Sequence, residues 1–117
     1  MAFLALTATA CGSTSSHASS AKSATLGSAV QQDCTSVADV LSDGPDPDAD
    51  PVGYAEAQVL PLRQLTLSDA ALHTAVLTLA RAYETYSTSS SSTRAASSAA
   101  VTKAENEVNK ICPQAAQ

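Results

Sequence analysis

The sequence predicts an all-α domain, a small up-and-down three- or four-helix bundle with a disulfide and a disordered N-terminal tether. Three observations lead to this prediction. Apolar residues recur at helical spacing in four segments between residues 28 and 113. Two cysteines, Cys34 and Cys112, lie near the two ends of that region. Residues 12–27 are mostly serine, threonine and alanine, a composition that does not build a core.

Composition limits both the size of the domain and its partners. The 117 residues are enough for one domain, and 44% of them are hydrophobic but only 3% aromatic, so alanine and small aliphatic side chains must fill the core. The formal net charge is -5. Because nucleic-acid binding needs clustered Lys and Arg against the phosphates, and the six cations are scattered, no nucleic-acid partner is predicted.

Residues 1–11, MAFLALTATAC, carry the signature of an export signal. The run is shorter than the roughly 20 apolar residues of a membrane span, but it fits the apolar core and cleavage site of a signal peptide. Ala8, Thr9, Ala10 and Cys11 resemble the lipobox of bacterial lipoproteins. Position 8 departs from the Leu that the family prefers, and no Lys or Arg precedes the cysteine. We therefore interpret residues 1–11 as a truncated signal peptide with a lipobox-like end, its charged start lying upstream.

The lipobox resemblance implies that cleavage leaves Cys11 N-terminal and lipid-modified, so that the protein is exported and anchored to the outer face of the cell membrane. Plain secretion after cleavage near Cys11, and a cytoplasmic chain with an accidental apolar start, are the alternatives. Residues 12–27 are predicted to be a flexible tether, because they bury too little apolar surface to offset the entropy of ordering them. His17 within the tether is interpreted as a solvated residue rather than a metal ligand.

The first two helices are predicted on either side of a proline-rich loop. The first begins at residue 28, presents Val30, Cys34, Val37 and Leu41 on one face, and ends at the Asp43-Gly44-Pro45 breaker. The loop is interpreted as a solvated acidic turn, which its prolines at 45, 47 and 51 are expected to hold extended. Its four aspartates lack the glycine and terminal glutamate of a calcium loop.

The second helix is predicted to start at Pro51 with Asp50 as N-cap. Pro61 is expected to kink or stop it, because proline lacks a backbone donor and clashes with the preceding turn. The carbonyl of Ala57 would then lose its helical donor.

The third and fourth helices follow the same apolar spacing. Ser68 is the predicted N-cap of the third helix, which the serine run 87–92 breaks. Its core face is Leu72, Val76, Leu79, Tyr83 and Tyr86. The fourth helix is predicted from about residue 93 to Cys112-Pro113, with a tail at 114–117. Its core face is Val101, Ala104, Val108 and Ile111.

Cys34 and Cys112 are predicted to form a disulfide. In an up-and-down bundle the first helix begins at the end where the fourth helix finishes, so the topology brings the two cysteines together. An exported protein also reaches an oxidising compartment. A two-cysteine metal or redox site is the alternative, but the CxxC spacing and a nearby histidine are missing.

No arrangement of residues indicates catalysis, and we expect a non-enzymatic protein without a cofactor. Ser68, Asp69 and His73 are the only cluster with a nucleophile, an acid and an imidazole. Ser68 is better explained as a helix cap, and Asp69 and His73 as an ion pair one turn apart. Tyr83 and Tyr86 are possible haem ligands by residue type, but their spacing is that of core residues.

Tyr54, Gln58 and Arg63, around Pro61, form a candidate interaction surface that we call the elbow. Polar, aromatic and arginine side chains of this kind are common in recognition surfaces. The alternative is that Pro61 simply ends the helix and Arg63 pairs with a loop aspartate such as Asp50.

The segment from Pro45 to Leu65, PDPDADPVGYAEAQVLPLRQL, resembles small exported actinobacterial proteins of unknown function. The resemblance implies an exported helical module and brings no activity or cofactor. The sequence therefore predicts a membrane-anchored, non-enzymatic extracytoplasmic module that interacts with an envelope protein. A small-ligand carrier of metal, haem or lipid is the alternative.

Lipidation gives the first testable prediction. Expressed with its upstream start, the protein should partition into detergent, and Cys11→Ser should leave it in the aqueous phase because the acylated residue is gone. Ser13→Ala, two residues away, is the matched control and should keep the detergent partitioning. Recovery of unmodified, fully soluble wild-type protein from the growth medium would contradict the prediction.

Overall fold

The computed structural model describes residues 27–113, 115 and 116, and within them it contains four helices and no strand. Helix α1 spans Ser28–Ser42, α2 Pro51–Gln64, α3 Ala70–Thr88 and α4 Arg94–Ile111. The all-α prediction is therefore confirmed, in its four-helix form. The predicted signal peptide, Cys11, His17 and the tether up to residue 26 lie outside the described residues. None of the described helices is long and apolar enough to cross a membrane.

The helices run up and down, with α3 packed against both α2 and α4. Polar contacts fix the directions. The hydroxyl of Tyr54, near the start of α2, donates to the carbonyl of Leu41, near the end of α1. Asp33, near the start of α1, contacts the residues that precede α3. One end of the bundle therefore holds the start of α1, the start of α3 and the end of α4, and we call it the disulfide end.

The core is built from the faces that the apolar spacing predicts. The buried apolar side chains of α1, α3 and α4 are Val37, Leu41, Leu72, Val76, Leu79, Ala80, Tyr83, Ala104 and Val108. Helix α2 adds Ala55, Gln58 and Leu62, at i, i+3 and i+7, each 1% exposed. Gln58 is therefore a polar side chain in the core, which the sequence interpretation had placed on the surface.

The predicted disulfide is confirmed. Cys34 and Cys112 are bonded, with their Cα atoms 5.4 Å apart, and the bridge joins α1 to the end of α4. Beyond the bridge, Ala115 and Ala116 lie against the core. The side chain of Asn109 accepts from the N–H of Ala116 at 2.9 Å and donates to its carbonyl at 2.6 Å. Ala116, which was predicted to lie in a tail, is buried.

The start of α3 differs from the prediction by one residue. Asp69, not Ser68, is the N-cap, and its carboxylate accepts a hydrogen bond from the N–H of Leu72 at 2.7 Å. Ser68 contacts Asp33 instead. One oxygen of Asp33 accepts from the Ser68 N–H at 2.8 Å, the Ser68 hydroxyl at 2.9 Å and the Asp69 N–H at 2.9 Å. We call these three bonds the Asp33 clamp.

The Asp33 clamp holds a carboxylate in its charged form. The hydrogen bond from the Asp69 N–H lowers the pKa of Asp33 most, and the two bonds from Ser68 lower it further, while burial opposes them. All three bonds end on an ionised oxygen, and hydrogen bonds to a charged acceptor are stronger than those between neutral groups. The clamp therefore ties α1 to the start of α3 beside the disulfide.

The loop before α2 is an exposed turn, in agreement with the prediction of a solvated acidic turn, but its prolines do not hold it extended as expected. The carbonyl of Asp46 accepts from the N–H groups of Ala49 and Asp50, and its side chain accepts from the N–H of Asp48. Gly44 has a φ of 103°, a left-handed conformation that other residues adopt with strain. A short polar side chain that satisfies the local backbone thus outweighs the stiffness of the prolines.

Helix α2 continues through Pro61 to Gln64, so Pro61 does not stop it. Asp50 is the N-cap as predicted, with its side chain accepting from the N–H of Gly53. Leu62, directly after the proline, is 1% exposed. Burial of this side chain on the α3 side favours continuation of the helix despite the missing donor.

The disulfide gives the second prediction. Replacing Cys34 and Cys112 together by serine should lower the melting temperature by about 10 °C or more, because closing a long loop stabilises a small domain by about 4 kcal/mol. The bridged residues are 78 apart in sequence. Differential scanning calorimetry measures the effect, with Cys11→Ser as the control that leaves the bridge intact. An unchanged melting temperature in the double variant would refute this role.

The Asp33 clamp gives the third prediction. The folded-state pKa of Asp33 lies below its ordinary value of 3.8, so the clamp stabilises the fold fully above that value and loses its effect as pH falls through the folded-state pKa. At neutral pH, Asp33→Asn should therefore melt below the wild type. The gap should close in acid, where the wild-type side chain is also uncharged.

The control for this pH dependence is Asp39→Asn, an exposed aspartate on the same helix. Circular dichroism melts from pH 7 down to about pH 2 span the range in which aspartates titrate. The Asp39 variant should show no gap that closes in this way. If the difference in melting temperature between the wild type and Asp33→Asn stays constant down to the lowest pH, the negative charge of Asp33 does not contribute to the stability of the clamp.

Candidate functional site

A cavity of about 340 Å³ lies at the end of the bundle opposite the disulfide. It is bounded by the loop before α2, the start of α2, the end of α3 and the middle of α4. All three tyrosines of the chain, Tyr54, Tyr83 and Tyr86, line it, together with the carboxylates of Asp48 and Glu105. We call it the tyrosine cavity. The remaining lining residues are small, apolar or hydroxylated: Pro47, Pro51, Ala55, Ser98, Val101 and Thr102.

Tyr54 and Tyr83 form the inner wall of the cavity. Their rings meet edge to face, with centroids 5.8 Å apart and an angle of 89° between the planes. The Tyr54 hydroxyl donates to the carbonyl of Leu41 at 2.6 Å. Burial raises the pKa of Tyr54 above its ordinary value, so this hydroxyl remains a donor. Tyr54 is half-buried, whereas Tyr83 is 3% exposed.

Glu105 supplies a carboxylate to the floor of the cavity. Its Oε1 accepts a hydrogen bond from the Tyr83 hydroxyl at 2.9 Å. Burial raises the pKa of Glu105, although the hydrogen bond from Tyr83 works in the opposite direction. Burial, followed by the charge of Glu105, raises the pKa of Tyr83 as well, which keeps its hydroxyl protonated. The neutral Tyr83 hydroxyl is therefore the donor, and the half-buried Glu105 carboxylate is the acceptor.

Tyr86 forms the outer wall and already contacts one cation. The guanidinium carbon of Arg94 lies 5.5 Å from the centre of the Tyr86 ring, within the range of a cation–π contact. Arg94 also donates from Nη2 to the carbonyl of Ser89 at 2.6 Å. Arg94 does not line the tyrosine cavity.

The turn before α2 places Asp48 at the rim of the cavity. Asp48 is exposed, and its backbone N–H is fixed by the side chain of Asp46 at 2.9 Å. Pro47 and Pro51 flank it and line the same rim. The acidic loop therefore has a position beside the aromatic cluster that its sequence alone did not indicate.

The three elbow residues do not form a common surface. Gln58 is buried, and its Nε2 donates to the carbonyl of Asp43 at 2.5 Å. Its Oε1 is buried and has no hydrogen-bond partner among the described residues. Tyr54 faces the tyrosine cavity, and only Arg63 is an exposed member of the group.

Arg63 pairs with a helix rather than with the loop. Its guanidinium contacts the carboxylate of Glu84 on α3, with Nη2 2.6 Å from Oε2 and Nη1 3.4 Å from Oε1. The expected pairing with Asp50 is wrong, because Asp50 caps α2 at the opposite end of that helix. Both partners are exposed, so the pair contributes little to stability.

The cluster of Ser68, Asp69 and His73 is not assembled as a catalytic group. The Ser68 hydroxyl donates to Asp33, and the Asp69 carboxylate caps α3. His73 is exposed and, within the described part of the chain, forms no ion pair with Asp69. The expected pairing of Asp69 with His73 is therefore wrong, because the helix N-terminus competes for the carboxylate.

In the part of the chain that the structure describes, neither the face of α4 nor the acidic and sulfur-containing side chains provide a comparable site. An open concavity of about 650 Å³ runs along the exposed face of α4, but its described lining residues all belong to that helix, so no second element encloses a ligand. Across residues 27–113, 115 and 116, no group of three or more His, Cys, Asp or Glu side chains is placed to hold a metal ion. The tyrosine cavity, which three helices and a loop line with aromatic, acidic and hydroxyl side chains, is therefore the candidate site.

The sequence interpretation had assigned the cavity residues to other roles. Tyr83 and Tyr86 were predicted core residues, and Tyr54 was placed in the elbow. Glu105 was not singled out, although it lies four residues from Val101 and three from Val108, on the flank of the α4 core face. A carboxylate on the flank of a core face is a sequence signal for a half-buried acid, and Glu105 fits that signal.

Comparisons with known proteins do not add to this description. No protein-family model, no curated protein and no solved structure matches the chain.

Proposed function

We propose that this protein is an exported, membrane-anchored and non-enzymatic binding module whose helical domain holds a small organic ligand in the tyrosine cavity. The observation that carries the proposal is the convergence of all three tyrosines on one cavity of about 340 Å³. That volume lies in the range of small-molecule sites, which combine apolar and aromatic walls with a few polar groups.

Export and anchoring are supported by two independent features. The disulfide between Cys34 and Cys112 is of the kind that persists in oxidising compartments. The lipobox-like residues that end at Cys11 provide an attachment point, and residues 12–27 would separate the bundle from the membrane surface. These features favour a position on the outer face of the cell membrane.

The non-enzymatic part of the proposal follows from how the reactive side chains are used. Ser68 and Asp69 are engaged at the disulfide end, and His73 lies exposed on α3. In the tyrosine cavity the Tyr83 hydroxyl is held as a donor by Glu105. Burial and the charge of Glu105 raise the pKa of Tyr83, so this hydroxyl is not activated, and these groups do not form the activated nucleophile that covalent catalysis requires.

An envelope protein as partner is the second candidate, favoured by one observation. Leu60 is a large apolar side chain that is 61% exposed, and it lies beside Pro61 and three residues before Arg63. An exposed apolar residue next to an arginine suits a small recognition surface. This recognition surface does not include Gln58, because that side chain is buried.

The fourth prediction distinguishes the two candidates in one preparation. Full-length protein is expressed in its own envelope with a photo-crosslinker at Leu60, irradiated, purified gently and analysed by native mass spectrometry. The small-ligand proposal expects a bound compound that Ser98→Trp expels, because the indole would fill the cavity from an exposed position of α4. Ala99→Trp, the neighbouring exposed position outside the tyrosine cavity, is the matched control and should retain the compound.

The small-ligand and protein-partner candidates predict different results in this experiment. A compound retained equally by Ser98→Trp and Ala99→Trp, or no compound in the wild type, would refute the small-ligand proposal. A discrete protein crosslink that Arg63→Ala removes, while Ser98→Trp and the melting temperature leave it unchanged, would favour the protein-partner candidate instead.

A further inference from the structure

The charged groups that line the tyrosine cavity have one sign. Asp48 at the rim and Glu105 at the floor are its ionisable acids, and none of its lining residues is Lys, Arg or His. The two carboxylates come from different elements, the turn before α2 and the middle of α4. A ligand that carries negative charge would meet carboxylates without a compensating cation, so the lining disfavours anions.

Glu105 is the only half-buried carboxylate in the cavity lining. It is half-buried, and its one hydrogen bond from the described residues is the bond from the Tyr83 hydroxyl to Oε1. Oε2 accepts none from them. Burial of a carboxylate is unfavourable unless hydrogen bonds or an opposite charge compensate, and the raised pKa of Glu105 reflects that incomplete compensation. A cation beside Oε2 would complete it.

The aromatic walls complement the same kind of ligand. Aromatic faces attract organic cations, and quaternary ammonium groups are bound in cages of aromatic side chains. Tyr83 is almost fully covered, but Tyr54 and Tyr86 are half-buried and have ring surface toward the cavity. The Arg94 guanidinium lies over the Tyr86 ring from outside the cavity lining, so a ligand would contact the part of the ring that lines the cavity.

We propose that the tyrosine cavity binds a small organic cation of the alkylammonium class, with Glu105 as counter-ion and the rings of Tyr54 and Tyr86 against its alkyl groups. This inference rests on the proposed function, since it names the chemical class of the ligand for the same cavity. The cavity lining does not suit a metal ion, because its rings and two separated carboxylates do not provide a converging set of metal-coordinating atoms.

The fifth prediction uses two probes of nearly equal shape. Choline is compared with its neutral carbon isostere, in which a tert-butyl group replaces the trimethylammonium group. Binding to the full-length protein is followed by NMR shifts of the three tyrosine rings, which locate the probe, and by calorimetry, which gives Kd. The wild type should bind choline about tenfold more tightly than the isostere, a difference of about 1.4 kcal/mol.

The charge of Glu105 should account for that preference. Glu105→Gln keeps an oxygen that accepts from the Tyr83 hydroxyl but removes the negative charge, so the Kd of choline should rise about tenfold while that of the isostere changes less than about twofold. Glu107→Gln is the matched control. Glu107 lies on the same helix, is exposed and pairs with Lys110 outside the tyrosine cavity, so neither Kd should change.

Each result decides the inference. Equal binding of the two probes by the wild type, or tighter binding of the isostere, would overturn the cationic class and leave the cavity as a site for neutral ligands. Tyrosine signals that neither probe shifts would also overturn it, yet a compound from the envelope that Ser98→Trp expels would still support the proposed function. The wild-type comparison of the two probes needs no variant, so a Glu105 variant that fails to fold would not affect the decision.

Discussion

Attachment of α1 is the constraint on which the rest of the bundle depends. Only two apolar side chains of α1, Val37 and Leu41, are buried, and a helix with so little apolar contact gains little from packing. The bridge from Cys34 to Cys112 keeps its start beside the end of α4 whether or not those contacts form. The Asp33 clamp acts at the same end and fixes the start of α1 against the start of α3.

At the opposite end of α1, side chains of α2 donate hydrogen bonds to the last carbonyl groups of the helix. The Tyr54 hydroxyl and the Gln58 amide donate to the carbonyls of Leu41 and Asp43, which the end of a helix leaves without intrahelical partners. The same Tyr54 ring meets Tyr83, and the Tyr83 hydroxyl donates to Glu105 on α4. A continuous series of contacts thus connects all four helices through the walls of the tyrosine cavity, and its shape is set by the bundle as a whole.

Much of the fold was predictable because it depends on spacing along one chain segment. The apolar faces of α1, α3 and α4, the Asp50 cap and the disulfide follow from periodicity, local capping chemistry and up-and-down topology. Residues that act between helices were not predictable in this way. Asp33 stabilises the start of α3 from 35 residues away, and its carboxylate explains why Ser68 does not cap that helix.

The candidate site was less predictable than the fold for the same reason. Tyr54 and Glu105 flank their core faces, and whether a flanking polar residue meets solvent or another helix depends on the crossing of the helices, which the sequence pattern does not give. The elbow failed as a surface on this point, since Gln58 lies on the buried i, i+3, i+7 face of α2. That face is visible in the sequence once Gln58 is allowed to be a core residue.

The tyrosines also have a structural role, which is distinct from ligand binding. As anchors between helices, Tyr54 and Tyr83 need only their hydroxyl groups and their mutual contact. Anchoring does not explain why Glu105, a carboxylate, rather than a neutral acceptor receives the Tyr83 bond in a half-buried position where its charge is disfavoured. A cation in the cavity would offset that unfavourable charge, and a ligand bound only by the folded state stabilises it. The Glu105 carboxylate would therefore be unfavourable in the ligand-free domain and would form an ion pair when the cation binds.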